Sequence, residues 1–200
     1  MTAFPPAIKS RPVYGQLAPR PGKLHLVVAD GEGAEAVANL LTQDPAMRSA
    51  AHILYTPGPT GTDLWSQIQA LDAAQSFRAP TIPTLLPRLQ RVLEGAQMGT
   101  QIYLTGTEGL IGQAEREVMA LGFPYRDIQK EHRGSTLRRV QCVHCKGITE
   151  NVATDPFACS HCGLHLFVRD HYSRRLAAFQ GVNIDAEEPG NIPPPVVRFA

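Results

Sequence analysis

The sequence predicts an α/β protein: a Rossmann-like three-layer parallel sheet followed by a small C-terminal zinc-ribbon-like β module. Three observations lead there. Short apolar runs of strand character alternate with segments of helical period between Lys23 and Glu131, the pattern of parallel strands joined by crossover helices. The first strand runs straight into a glycine turn, Asp30-Gly31-Glu32-Gly33, and then a helix, which is how a βαβ unit opens. Finally, the four cysteines, Cys142, Cys145, Cys159 and Cys162, are confined to one short window, a metal-site pattern rather than a disulfide scaffold.

Residues 1–22 hold Pro5, Pro6, Pro12, Pro19 and Pro21 and read as an extended arm. The opening MTAFPPAIKSRPVYG has no apolar core of a signal peptide. Residues 23–134 form the α/β domain. Residues 23–29 (KLHLVVA) are a buried strand, 34–41 a helix, and 52–55 a second strand stopped by Thr56-Pro57-Gly58-Pro59. A helix follows over 63–71, and prolines break the chain at 80 and 83. The next helix is expected over 85–93, with Pro87 in its first turn, where a missing N–H costs little. Residues 101–104 are a third strand, and Thr107 caps a helix carrying Leu110, Ile111, Ala114, Val118 and Leu121 at helical spacing. Gly122 ends that helix, and 126–131 read as a last, mostly polar strand.

Residues 135–182 read as the metal module, with β-like runs at 137–141 and 165–168 and a short helix over 171–182 presenting Leu176, Ala177 and Phe179. Residues 183–200 are a proline-containing tail.

The composition sets bounds on function. The 200 residues are 43% hydrophobic, enough for a packed core, and 19 Lys+Arg against 18 Asp+Glu leave a formal net charge of +1. That balance argues against a dedicated nucleic-acid binder or a polybasic membrane binder. No apolar run approaches the roughly 18–20 residues that span a bilayer, so a cytoplasmic protein is expected.

Each Cys-x-x-Cys turn directs two thiolates at one ion, and the glycines after them, Gly147 and Gly163, suit a tight knuckle. Four thiolates satisfy Zn²⁺ as a closed structural site with no position left for water. The same ligands hold a mononuclear Fe in a rubredoxin-like electron-transfer site, and ligand identity does not separate the two. His144 and His161 lie inside the knuckles and read as neighbours of the site rather than ligands. A divalent ion on four thiolates carries a net −2, which Arg138, Arg139, Lys146 and Arg169 are placed in sequence to offset. A nucleic-acid-binding zinc ribbon is the weaker alternative. Residues 126–175 hold nine Lys/Arg and five Asp/Glu, so the cluster charge leaves only a small positive excess.

The glycine turn with Gly31 and Gly33, together with Gly106 after the later strand, has the position of a nucleotide-binding turn but not its full pattern. The third glycine and the following acid are missing. Asp30, Glu32 and Glu35 put negative charge where a pyrophosphate would rest. A structural turn is the expectation, and no catalytic residue is assigned.

The stretch from Leu24 to Glu131 resembles the pyridine-nucleotide-binding half of ferredoxin-reductase-type flavoenzymes. Residues 102–110 (IYLTGTEGL) look like that family's late strand, and 120–124 (ALGFP) with Ile128 and Glu131 like its close. Thr105 stands in place of the family's cysteine, Thr107 of its proline, Thr56-Pro57 of its arginine, and His132 of its closing aromatic. These departures predict a degenerate NAD-binding-like domain. The run 141–147 (QCVHCKG), Cys159, Cys162 and 167–178 (FVRDHYSRRLAA), together with that half, resemble the DmmA-like subunit of bacterial dimethylamine monooxygenase.

The resemblance implies a subunit of a multicomponent enzyme using NADPH (hence NADP) and O2 for the oxidative demethylation of dimethylamine to methylamine and formaldehyde. Its other subunits would be this chain's partners, with haem, FMN and an iron–sulfur cluster on those partners only. The chain itself would be an accessory part of the hetero-oligomer. Residues 169–175, dense in Arg and Tyr, suit docking to such a partner, or else a solvated helix start.

Overall fold

Residues 10–200 are described by the structure, a computed structural model of the chain; residues 1–9, most of the first half of the predicted arm, lie outside the described residues. The described residues divide into two compact units, 14–136 and 10–13 with 137–200.

In the first unit, β1 (Leu24–Asp30), β2 (Ala51–Thr56), β3 (Gln75–Arg78), β4 (Thr100–Gly106) and β5 (Ile128–His132) make one sheet in the order β3-β2-β1-β4-β5. Every neighbouring pair is parallel. Strands covered on both faces are apolar on both faces, and side chains alternate accordingly. Val27, Ala29, Ile53, Tyr55 and Tyr103 pack with α1 (Gly33–Gln43) and α2 (Trp65–Ala70). Leu26, Val28, Leu54, Ile102 and Leu104 pack with α3 (Ile82–Glu94) and α4 (Glu108–Ala120). The chain steps outward from β1 to β3, returns through α3, and continues from β4 to β5. Strand order therefore reverses between β1 and β4, the place where open α/β sheets form a crevice beyond the strand ends.

Two details differ from the sequence reading. The expectation placed Pro87 in the first turn of its helix. Instead α3 starts at Ile82, because Thr81 and Thr84 form a reciprocal capping box and Pro83 takes the first turn. Pro87 lies in the helix interior, where it removes one backbone hydrogen bond. The strand β3 was not expected, since Gln75-Ser76-Phe77-Arg78 is wholly exposed on a sheet edge and shows no apolar alternation.

The opposite edge is covered by the arm. The Gly15 N–H donates to the Lys130 carbonyl at 2.9 Å and the Leu17 N–H to Glu131 Oε2 at 2.7 Å. Ala18 and the Gln129 amide exchange two hydrogen bonds of 2.9 and 2.8 Å. Leu17 itself is buried in the α1 side of the core. Such cover removes an open row of backbone donors and acceptors.

The second unit holds β6 (Arg138–Cys142), β7 (Ile148–Val152), β8 (Thr154–Asp155), β9 (Phe157–Ala158), β10 (His165–Ser173), β11 (Ala178–Asn183) and β12 (Val196–Val197). Its main sheet runs β7-β6-β11-β10-β9, and β12 pairs with β8.

The short helix expected over 171–182 is absent. That segment is the end of β10, a turn with Ala177 at φ 50°, and β11. The cause is cross-strand packing: Tyr172 lies opposite Phe179 with ring centroids 5.0 Å apart, both buried. A helix would instead set the two residues two turns apart, about 10 Å along its axis, too far for the rings to meet as they do here. The proline-containing tail also returns to the sheet. Phe199 is buried in the unit's core, and Arg198 Nη1 donates to Asp155 Oδ2 at 3.1 Å. At the other end of the chain, Ser10 fills the β10 bulge, its hydroxyl donating to the Asp170 carbonyl at 3.0 Å and accepting from the Tyr172 N–H at 3.1 Å.

Candidate metal centre and strand switch point

Cys142 ends β6, Cys145 follows in the turn to β7, and Cys159 and Cys162 bracket the turn between β9 and β10. The two knuckles repeat one backbone pattern. The Lys146 N–H donates to the Cys142 carbonyl and the Gly163 N–H to the Cys159 carbonyl, each at 3.0 Å. The Cys142 N–H donates to the Gly147 carbonyl and the Cys159 N–H to the Leu164 carbonyl, each at 2.9 Å. The Gly147 N–H reaches Cys145 Sγ at 3.4 Å.

All four sulfurs lie within 4.8 Å of one another, and the Cys142–Cys162 and Cys145–Cys159 pairs are each 3.8 Å apart. A tetrahedron with metal–sulfur bonds of about 2.3 Å has sulfur–sulfur edges of about 3.8 Å. The donor set and its spacing therefore fit a four-thiolate metal ion. Zinc and iron have the same requirement, so the geometry does not choose between them.

The thiols titrate apart. Burial pushes the Cys159 thiol up, but the N–H groups of Cys162 and His161 and the neighbouring sulfurs outweigh it and bring it down to about 6. Cys162 is drawn down by the Leu164 N–H, yet burial and hydrogen bonds to the other three sulfurs carry it up to about 12. Cys159 favours the thiolate while Cys162 holds its proton, and a bound dication removes that conflict.

The two histidines are not ligands here. His144 is exposed. His161 sits on Gly147, whose added Cβ would meet the ring at 2.4 Å, and its Nε2 lies 2.9 Å from the Ile148 carbonyl. With Thr149 Oγ1 accepting from the Ser160 N–H at 3.2 Å, this ties the second knuckle to the start of β7. The expected charge compensation is mostly redirected. Arg138 stacks between Phe179 and Phe199, at 4.0 and 4.2 Å from their centroids, and pairs with Asp170. Arg139 pairs with Glu150 at 2.7 Å and donates to the Leu176 and Ala177 carbonyls. Lys146 stays at its knuckle, with Nζ on the Val143 carbonyl at 2.6 Å.

At the switch point the three glycines serve chain packing. A Cβ on Gly33 would meet the Thr105 carbonyl oxygen at 2.7 Å, and one on Gly31, at φ 44°, would meet the Gly58 backbone at 3.0 Å. Gly106, at φ 117°, faces Asp30: an added Cβ would meet Oδ1 at 1.8 Å. Asp30 ends β1 with no exposed surface. Its Oδ1 accepts from the Thr107 N–H at 2.6 Å and its Oδ2 from the Thr107 hydroxyl at 2.5 Å. The N-terminus of α4, where this fold offers N–H groups to an anion, thus holds the protein's own carboxylate. Burial raises Asp30 to about 6 against the opposing pull of the Thr107 bonds.

Sequence reading put Asp30 and Thr107 at this end of the sheet but missed their pairing. It also missed Tyr14, whose ring lies 5.5 Å from His132 and whose hydroxyl donates to Glu108 Oε1 at 2.9 Å. A cavity of about 300 Å³ beside β5 is lined by Gln16, Leu17, Asn39, Thr42, Glu131 and Arg133 among others.

Fold and site together define a class: a parallel α/β sheet whose switch point is filled by its own carboxylate, followed by a β module that clusters four cysteines. Residues 6–128 match the family model described as dimethylamine monooxygenase subunit DmmA-like, N-terminal domain, and residues 139–182 match its C-terminal domain. The chain belongs to this family.

It is 31% identical over 110 residues to the heme-dependent oxidative N-demethylase delta subunit of Ectopseudomonas mendocina (strain ymp). That match covers 55% of this chain and 63% of that protein, less than two thirds of its length. Similar solved structures include the ferredoxin reductase in carbazole 1,9a-dioxygenase (FAD apo form), 18% identical over 57% of this chain and 36% of that one, with a TM-score of 0.43. Phthalate dioxygenase reductase is 14% identical over 67% and 45%, with a TM-score of 0.42. No helix among the described residues is long and apolar enough to cross a membrane.

Proposed function

We propose that the chain is a non-catalytic, cytoplasmic accessory subunit of a dimethylamine monooxygenase. The whole enzyme would convert dimethylamine, O2, NADPH and a proton to methylamine, formaldehyde, water and NADP⁺. Haem, FMN and the iron–sulfur cluster belong on the partner subunits in this reading. The observation that carries it is the carboxylate of Asp30 on the N-terminus of α4. A group already bonded there, with Gly106 closed against it, leaves no place for a nucleotide phosphate and repels one electrostatically. Residues 23–134 then act as a degenerate NAD-binding-like scaffold, not as a site of hydride transfer.

The metal assigned to Cys142, Cys145, Cys159 and Cys162 is zinc. A closed thiolate set without an open position suits a structural ion, which would hold the two knuckles and the ends of β6 and β10 together. Residues 169–175 end β10 and enter its hairpin turn, with Arg169, His171 and Arg175 exposed. This basic tip is assigned to docking on a partner subunit.

Purification of the chain alone and with its co-expressed neighbours tests the proposal. The isolated chain is expected to be colourless, to hold one zinc, and to give no calorimetric signal with NADPH. Arg174→Glu with Arg175→Glu is expected to abolish copurification with the other subunits. Stoichiometric iron with visible absorption would replace zinc by an electron-transfer centre. Saturable NADPH binding would overturn the scaffold reading, and unchanged copurification the docking assignment.

A further inference from the structure

The two knuckles are near copies, and they differ at a residue whose backbone is costly. After the second cysteine of each, the chain turns with positive φ: Gly163 at 76° and Lys146 at 64°. Glycine adopts this region freely, whereas a side chain crowds the following carbonyl. The backbone duty is the same at both places, an N–H donated to the first cysteine's carbonyl at 3.0 Å. Glycine at 146 would therefore serve the turn equally well.

What lysine adds is its ammonium, which folds back into its own knuckle and donates to the Val143 carbonyl at 2.6 Å. It is the one Lys or Arg within either knuckle, 142–147 or 159–164. Arg138 and Arg139, adjacent in sequence to the cluster, are committed to Asp170 and Glu150. A dication on four thiolates leaves a net −2 beside this ammonium. Strained residues persist where function requires them.

We propose that Lys146 is a positioning charge for the metal centre: clamped by the Val143 carbonyl, its ammonium balances the dianionic four-thiolate site and tightens metal binding. This rests on reading the four cysteines as a metal site.

The test uses the full chain and zinc(II), titrated against a colorimetric chelator at low and high salt. Lys146→Met is expected to weaken zinc binding roughly tenfold, in the range of losses seen when a group supporting a metal site is removed. Lys146→Arg restores most of the loss. Lys146→Gly falls between Met and wild type, because glycine relaxes the turn while losing the charge. The gap between wild type and Lys146→Met narrows toward 1 M NaCl, where the screening length falls to about 3 Å. Wild-type affinity in Lys146→Met, affinity above wild type in Lys146→Gly, or a loss that salt does not change would overturn the proposal. Wild type failing to bind zinc would instead overturn the metal site itself.

Discussion

Replacing Asp30 by Asn should stabilise the protein at neutral pH, although Asp30 makes two short hydrogen bonds. An asparagine keeps both links to Thr107, since its Oδ1 accepts from the N–H and its Nδ2 donates to the hydroxyl. What it removes is the cost of ionising a carboxyl with no exposed surface. Burial raises this group from 3.8 to about 6, and each pKa unit is worth about 1.4 kcal/mol, so the cost is about 3 kcal/mol. The folded state binds the proton more tightly than the unfolded state. This group's contribution is therefore full below about pH 4 and is lost as pH rises through about 6. Asp30→Asn should melt roughly 6–12 °C above wild type at pH 7.5, taking roughly 2–4 °C per kcal/mol for a chain of this size. The two curves should converge toward pH 4. Calorimetric melts of both proteins across pH 4–8 measure this. A lower melting point for the variant at pH 7.5, with the gap closing as pH falls toward 4, would refute the reasoning. The charge of Asp30 would then be stabilising α4 through the helix dipole by more than its burial costs.

Three further outcomes are expected. Chelation of the metal should strip hydrogen-exchange protection from β6, β10 and β11, because binding energy at such sites is folding energy; protection that survives chelation speaks against a structural ion. Arg138→Lys should cost nearly as much as Arg138→Ala, about 2 kcal/mol by urea titration, because the ring stacking on Phe179 and Phe199 needs a planar guanidinium. A lysine variant as stable as wild type would show that charge alone matters. Lys130 and Glu115 pair at 2.5 Å, each about 7% exposed. Lys130→Met should cost about 3–5 kcal/mol by stranding the carboxylate, whereas Lys130→Met with Glu115→Leu should be close to neutral. Equal losses in the single and double variants would contradict that account.

Strands covered on both faces announce themselves, which is why β1 and β4 were legible as apolar runs. The cysteine knuckles were legible because ligand spacing is a local constraint. Elements decided by tertiary contact were not. The β10–β11 hairpin carries Leu176, Ala177 and Phe179 at a spacing that also suits a helix, and only the pairing of Tyr172 with Phe179 decides for strands. β3 is held by parallel bonds to β2 and has no buried side chain to mark it. At the switch point the sequence displayed an unhelpful negative charge beside a glycine turn. The partner that turns this charge into an internal ligand, Thr107, stands 77 positions away. The arm was legible as extended, but its strand-edge role depends on Lys130 and Glu131, more than a hundred residues downstream.

The pairing of Tyr14 with His132 has a consequence for the order of assembly. The metal-bearing unit is built from both flanks of the chain, with Arg11 paired to Asp170 across a separation of 159 residues. Closing so long a loop in an unfolded chain is entropically costly. Residues 14–136 emerge from the ribosome complete before the cysteines do and have their own core, so they can fold first. Once folded, they hold positions 14 and 132 at 5.5 Å between rings, and the flanks leave from neighbouring points. The loop left to close is then tens of residues rather than 159. Synthesis from the N-terminus thus makes the α/β unit a template that brings the two ends of the thiolate module together.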